Sequence, residues 1–189
     1  MSKYVLEDAC SPLIQEDAQR ALKYGNGDPV KGVYLWVKKV MRFREDTETA
    51  LPLNNPDVVE VLIRPVDVAL LQREGQIPVG DCDDFSQYAA CLLWALEVPC
   101  VFATVAADGR DKNAYSHVYV VAYPNGIRTA VDASHGAYAG WEAPNRYGKF
   151  REWDIVESAA GGGGEFVKSI AWIAAIAGGL YLAKTKGWI

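Results

Sequence analysis

Gly80-Asp81-Cys82-Asp83-Asp84-Phe85, read on through Trp94, is the stretch from which the rest of the chain is understood. Asp81 suits the residue just before a helix, and Asp84 stands three positions on as a capping box with Asp in place of Glu or Gln. Cys82 then falls in the first turn. Phe85, Ala89, Leu92 or Leu93, and Leu96 recur at the helical period, so one apolar stripe docks the helix, and Pro99 sets its latest stop. A first-turn thiol faces the positive helix end, which favours the thiolate. Asp81, Asp83 and Asp84 oppose that effect. A cysteine in such a helix reads either as a nucleophile or as a small buried apolar residue.

Outward from this helix, the 189 residues suffice for one domain with a sizeable core or a smaller domain with an appendage. A formal charge of −5, with no basic arm or zinc-finger spacing, argues against a nucleic-acid partner. The four cysteines, Cys10, Cys82, Cys91 and Cys100, form no CxxC pair and read as reduced thiols. The N-terminal residues lack the apolar run of a signal peptide, so the expected location is not secretory but cytoplasmic.

Upstream, Ser11-Pro12 opens a helix that Gly25-Asn26-Gly27 closes, and Asp28-Pro29 opens a second helix bearing Val33, Trp36, Val37, Val40 and Met41. Glu45 to Pro56 reads as a connection and Val58 to Ile63 as a short strand. Arg64-Pro65 starts a third helix that ends near Gly75, which brings Gln76 towards the cysteine helix.

Downstream the period becomes two. Cys100 to Ala106, Ser116 to Tyr123 and Ile127 to Asp132 read as strands, with Asp108-Gly109 and Pro124-Asn125-Gly126 as turns. With Asn125 and Gly126 as the two turn residues, Pro124 faces Ile127, Tyr119 faces Asp132 and His117 faces Ser134. His117 and Asp132 are then diagonal neighbours on one face. A slip of one residue would put them on opposite faces.

Three residues in chain order therefore make a thiol constellation. Cys82 serves as nucleophile, His117 as its base and Asp132 as the group that orients the imidazole. The Cys82 backbone N–H and the Gln76 amide are candidate oxyanion donors. His135 and Trp141, on the aromatic-rich connection after Asp132, are candidate substrate contacts. No cofactor or metal is needed. A second reading uses Asp81, Cys82, Asp83, Asp84 and His117 as metal ligands, although successive helical residues do not converge on one centre.

The set Gly80-Asp81-Cys82-Asp83-Asp84, the helix to Leu96-Glu97-Val98-Pro99, Ser116-His117-Val118-Tyr119-Val120 and Thr129-Ala130-Val131-Asp132-Ala133-Ser134 resembles the transglutaminase-like superfamily, in its bacterial and phage-encoded members with papain-like chemistry. The resemblance covers roughly residues 28 to 135. It implies an α+β fold, a papain/transglutaminase-like core in which the cysteine-bearing helix packs on a small antiparallel sheet. It also implies acyl transfer or amide hydrolysis on a peptide or amide substrate through a thioester. The alternative is a non-enzymatic virion or interaction protein that keeps the fold.

The expected organisation is a domain over residues 1–157 with its N-terminal helices, a glycine-rich hinge over 158–165, and an apolar C-terminal helix over 166–189. That helix is the expected docking element for a protein partner or a second copy, or for a membrane, although its uncharged run from Ile170 to Ala183 is shorter than the roughly 20 residues of a span.

Overall fold

The computed structural model describes residues 1–45, 62–108 and 112–160. In chain order the helices are α1 (Ser2–Asp8), α2 (Pro12–Tyr24), α3 (Pro29–Val40), α4 (Pro65–Arg73), α5 (Cys82–Ala95) and α6 (Ile155–Ala159). The strands are β1 (Arg42–Phe43), β2 (Val79–Gly80), β3 (Cys100–Val105), β4 (His117–Ala122), β5 (Thr129–Val131) and β6 (Phe150–Asp154). Helices α2, α3 and α4 each begin on a proline whose missing N–H costs nothing at that position. Asp28 adds a side-chain cap to α3, accepting from the N–H groups of Val30 and Lys31 at 3.0 Å each.

The fold is α+β. Four antiparallel strands run in the order β5-β4-β3-β6, and α5 lies between this sheet and helices α1, α2 and α3. Enclosure from both sides explains why α5 departs from the single apolar stripe expected of it. Every residue from Asp83 to Leu93 is buried, as in a helix that runs through a core. Leu96, expected on the stripe, is the half-buried C-cap.

The approach of α2 to α3 is also close. A Cβ at Gly32 would lie 2.2 Å from the carbonyl oxygen of Ala21, so only glycine fits there.

The hairpin β4-β5 has the expected register: Val120 faces Val131, Val121 faces Ala130 and Ala122 faces Thr129. Its turn explains the precision. Asn125 and Gly126 both have positive φ (52° and 78°), and Ile127 N–H donates to Pro124 O at 3.0 Å. This is the primed turn whose twist matches that of paired strands. Alternation along the strands divides the sheet. Phe102, Val120 and Val131 face the helices, while Val101, Ala103, Tyr119, Val121 and Ala130 form a second cluster under Trp141 and Ala143.

Two pairings lie outside the expected elements. β1 pairs in parallel with β2, Arg42 with Val79 and Phe43 with Gly80. β6, within the stretch read as a connection, adds an edge strand to β3 with Trp153 opposite Phe102.

Among the described residues no helix is long and apolar enough to cross a membrane. The longest, α5, has 14 residues, about 21 Å at 1.5 Å per residue against a hydrocarbon core of about 30 Å. This corrects the expectation of membrane-anchored oligomerisation through an apolar C-terminal helix. The segment on which that expectation fell, 166–189, lies outside the described residues, as do most of the expected hinge and the expected strand residues 58–61.

Candidate functional site

The first turn of α5 is fixed before any chemistry is considered. The capping box forms: Asp81 accepts from Asp83 N–H at 3.1 Å, and Asp84 accepts from Asp81 N–H at 3.3 Å. The other Asp84 oxygen accepts from Ile63 N–H at 2.7 Å, which ties the chain ahead of α4 to this turn. The Ser86 hydroxyl lies 2.6 Å from Cys82 O and 3.0 Å from Val118 O and shares its proton between them. It pins the cysteine turn to β4. The three aspartates also bring carboxylate oxygens within 4.8 Å of one another, but without His117, and two of them serve as caps.

Cys82 is half-buried, and the backbone N–H of Val118 is directed at its sulfur. Burial pushes the thiol up to about 12, Asp81, Asp83 and Asp132 push the same way, and the Val118 hydrogen bond only partly opposes them. The resting sulfur is a thiol. The helix-end effect expected to favour thiolate is outweighed by desolvation.

His117 opens β4 and is 8% exposed. Its Nε2 lies 2.7 Å from Asp132 Oδ2, a contact between two side chains that are both almost wholly enclosed. Asp132 is held on its other oxygen as well, with Oδ1 accepting from Ser134 Oγ and from His135 N–H, both at 2.9 Å. Burial on its own would raise the Asp132 carboxyl. The hydrogen bond and charge of His117, with the His135 N–H and Ser134 hydroxyl, bring it below its ordinary range, so it is a carboxylate.

The loop from Asp132 to Gly136 is clamped from α3. Tyr34 Oη and Lys38 Nζ both donate to Gly136 O, at 2.9 and 2.8 Å, and Gly136 N–H donates to Asp132 O at 2.9 Å. A Cβ on Gly136 would lie 2.3 Å from that Asp132 oxygen, so the tight loop needs glycine. His135 projects from the loop with its ring centroid 4.8 Å from that of His117 and 4.8 Å from that of Phe43. Burial and the neighbouring His117 depress His135, which keeps its ring neutral around pH 7.

Cys82, His117, His135 and Trp141 line one cavity of about 580 Å³, together with Phe43, Asp81 and Arg146. The structure therefore brings five of the six sequence-derived residues to one place, with Asp132 behind His117. Gln76 is not among them. It is exposed, donates to Glu74 Oε2 at 3.3 Å and does not line the cavity. Between Gln76 and Cys82 the chain passes through the strand Val79–Gly80, whose rise of about 3.3 Å per residue helps carry the amide away from the thiol. Phe43, Tyr34 and Lys38 escaped the sequence reading. Phe43 arrives through the two-residue β1-β2 pairing, which has no periodic signature, and the Tyr34 and Lys38 contacts join residues about a hundred positions apart.

No family model and no curated protein matches the chain. Among solved structures, it is similar to one described as "a Putative Cysteine Protease from Cytophaga hutchinsonii", at 17% identity and a TM-score of 0.43. The match covers 65% of this chain and spans 38% of that one.

Proposed function

We propose that this chain performs thiol-dependent acyl transfer or amide hydrolysis at the Cys82 cavity, in the manner of the transglutaminase-like enzymes that its motifs resemble. One observation carries the reading. An imidazole bonded to a buried carboxylate lines the same cavity as a helix-capped cysteine.

The Nε2 bond to Asp132 leaves Nδ1 of His117 as the free nitrogen, which fixes the useful tautomer. Because the resting sulfur is protonated, the proton must move during attack. As the Cys82 sulfur bonds to the substrate carbonyl carbon, His117 takes the thiol proton. The imidazolium then gives it to the departing amine as the C–N bond breaks, leaving a thioester. Water, or a second amine, attacks that thioester as His117 accepts its proton; the C–S bond breaks, the acyl product leaves, and the imidazolium returns the proton to the sulfur. The Cys82 backbone N–H at the start of α5 supplies an oxyanion donor. His135 and Trp141 stand where an acyl group would contact the cavity wall.

The high thiol value favours a second reading, a scaffold that keeps this arrangement as a binding or structural element without turnover. One experiment separates the two. The chain is treated with a substrate-like acylating probe in the presence of a chelator, and each cysteine is followed by mass spectrometry. Catalytic competence predicts modification at Cys82 that falls by about 10²-fold or more in His117→Ala, with exposed Cys10 labelled equally in both proteins. Labelling of Cys82 that does not depend on His117 would leave the scaffold reading standing.

A further inference from the structure

The proton inventory around Asp132 fixes which nitrogen of each cavity imidazole is free. His117 commits Nε2 to Asp132 Oδ2 at 2.7 Å and keeps its lone pair on Nδ1. Ser134 Oγ gives its single proton to Asp132 Oδ1, so its 3.0 Å contact with His135 Nδ1 needs the imidazole as donor. His135 therefore carries its proton on Nδ1 and keeps a lone pair on Nε2. The ring is also fixed in place, by edge contacts at 4.8 Å between centroids with both Phe43 and His117. Both imidazoles line the cavity that holds Cys82, and one ring nitrogen of His117 lies within 4.8 Å of one of His135. A single oxygen or nitrogen atom that hydrogen-bonds to two acceptors at about 2.9 Å each, at a tetrahedral angle, spans about 4.7 Å between them.

We propose that His135 is a specificity-determining residue for thioester breakdown: with His117 it holds a nucleophile bearing two hydrogens on its attacking atom, which selects water and primary amines over alcohols and secondary amines. This rests on the acyl-transfer reading above. One hydrogen of the nucleophile points at His117 Nδ1 and is the proton transferred. The other donates to His135 Nε2 and stays on the attacking atom. With methylamine, the C–N bond forms, the C–S bond breaks, one amine proton passes through His117 to the sulfur, and the second remains in the amide product. The attacking nitrogen gains positive charge as it bonds to the carbonyl carbon, so its hydrogen bond to His135 strengthens in the transition state. Dimethylamine has only one N–H. With that proton directed at His117, a methyl group faces His135 Nε2 and shuts out the water that would otherwise satisfy it.

The full chain is acylated with p-nitrophenyl acetate; p-nitrophenolate release reports the step, and mass spectrometry locates the acetyl group on Cys82. Methylamine and dimethylamine, of similar basicity, are supplied together at equal concentration, and the two acetamides are measured after subtraction of the same mixture with Cys82→Ala. Both products come from one acyl-enzyme, so the rate of acylation does not enter their ratio. The native chain should favour the methylamine product. His135→Leu, which fills the place of the ring without a lone pair, should lower that preference by about tenfold or more. His135→Gln, whose amide oxygen reaches the Nε2 position, should restore most of it. Methanol against water gives the same comparison for oxygen nucleophiles, with methyl acetate rising relative to acetate in His135→Leu. Far-ultraviolet circular dichroism checks that each variant is folded.

Product ratios unchanged in His135→Leu, or equally low in His135→Gln, would overturn the role of the lone pair. If acetyl-Cys82 forms in dependence on His117 while those ratios stay unchanged, the acyl-transfer reading stands and the selection by His135 fails. If Cys82 takes no acetyl group, or takes it without regard to His117, both fall.

Discussion

Tyr34 and Lys38 serve one acceptor, Gly136 O, and this predicts a specific non-additivity. Tyr34→Phe keeps the buried ring and deletes only the hydroxyl, while the Lys38 ammonium still satisfies the carbonyl. The expected loss is about 1 kcal/mol, the net worth of an ordinary hydrogen bond. Lys38→Met keeps the stem of an exposed side chain and leaves Tyr34 Oη in place, with an expected loss of about 0.5 kcal/mol after solvent screening. The double variant removes both donors from a buried residue, and an unsatisfied buried carbonyl costs about 1–3 kcal/mol. The double loss should therefore exceed the sum of the singles by about 1 kcal/mol. Urea unfolding of the four proteins, with equal m-values, measures this cycle directly. Additivity to within about 0.3 kcal/mol would show that water replaces either donor freely and that the clamp does not hold the loop.

Two other expectations follow from packing and from buried thiols. Gly32→Ala would gain up to about 1 kcal/mol from helix propensity alone. The 2.2 Å approach to Ala21 O reverses the sign, because the backbone of α2 must shift, and overpacking costs about 1–3 kcal/mol. Thermal unfolding should then come a few degrees lower, and a raised midpoint would contradict the close packing of α2 on α3. Burial holds the thiols of Cys82, Cys91 and Cys100 above their ordinary range. Their stabilising protonation is fully present below the unfolded value of about 8.5 and is lost as pH rises towards the folded values. Stability should fall between pH 8.5 and 9.5 by on the order of 1 kcal/mol per pH unit for each thiol, and a pH-independent urea midpoint over that window would refute it.

The parts of the molecule legible in the sequence are those set by local chemistry. Asn125-Gly126 dictates a primed turn, the turn dictates the β4-β5 register, and the register puts Asp132 within reach of His117. Asp81 and Asp84 likewise announce the start of α5. Contacts without a local signature were not legible. β1 and β2 are two residues each, and β6 carries Arg151, Glu152 and Asp154 among its aromatics, so charge obscures the alternation expected of a strand. Gln76 illustrates the opposite error: nearness along the chain suggested nearness to the thiol, and an extended backbone converts such nearness into separation.

The hairpin that joins His117 to Asp132 also bears on the order of assembly. Its two residues are 15 positions apart, and closing so short a loop needs little entropy. The sulfur arrives on α5, whose place between the helical layer and the sheet depends on contacts from far along the chain. Low contact order favours the imidazole–carboxylate pair, and high contact order delays the thiol. A chain refolding from its full length would thus hold its base ready before its nucleophile is seated, and reactivity would emerge only with the finished core.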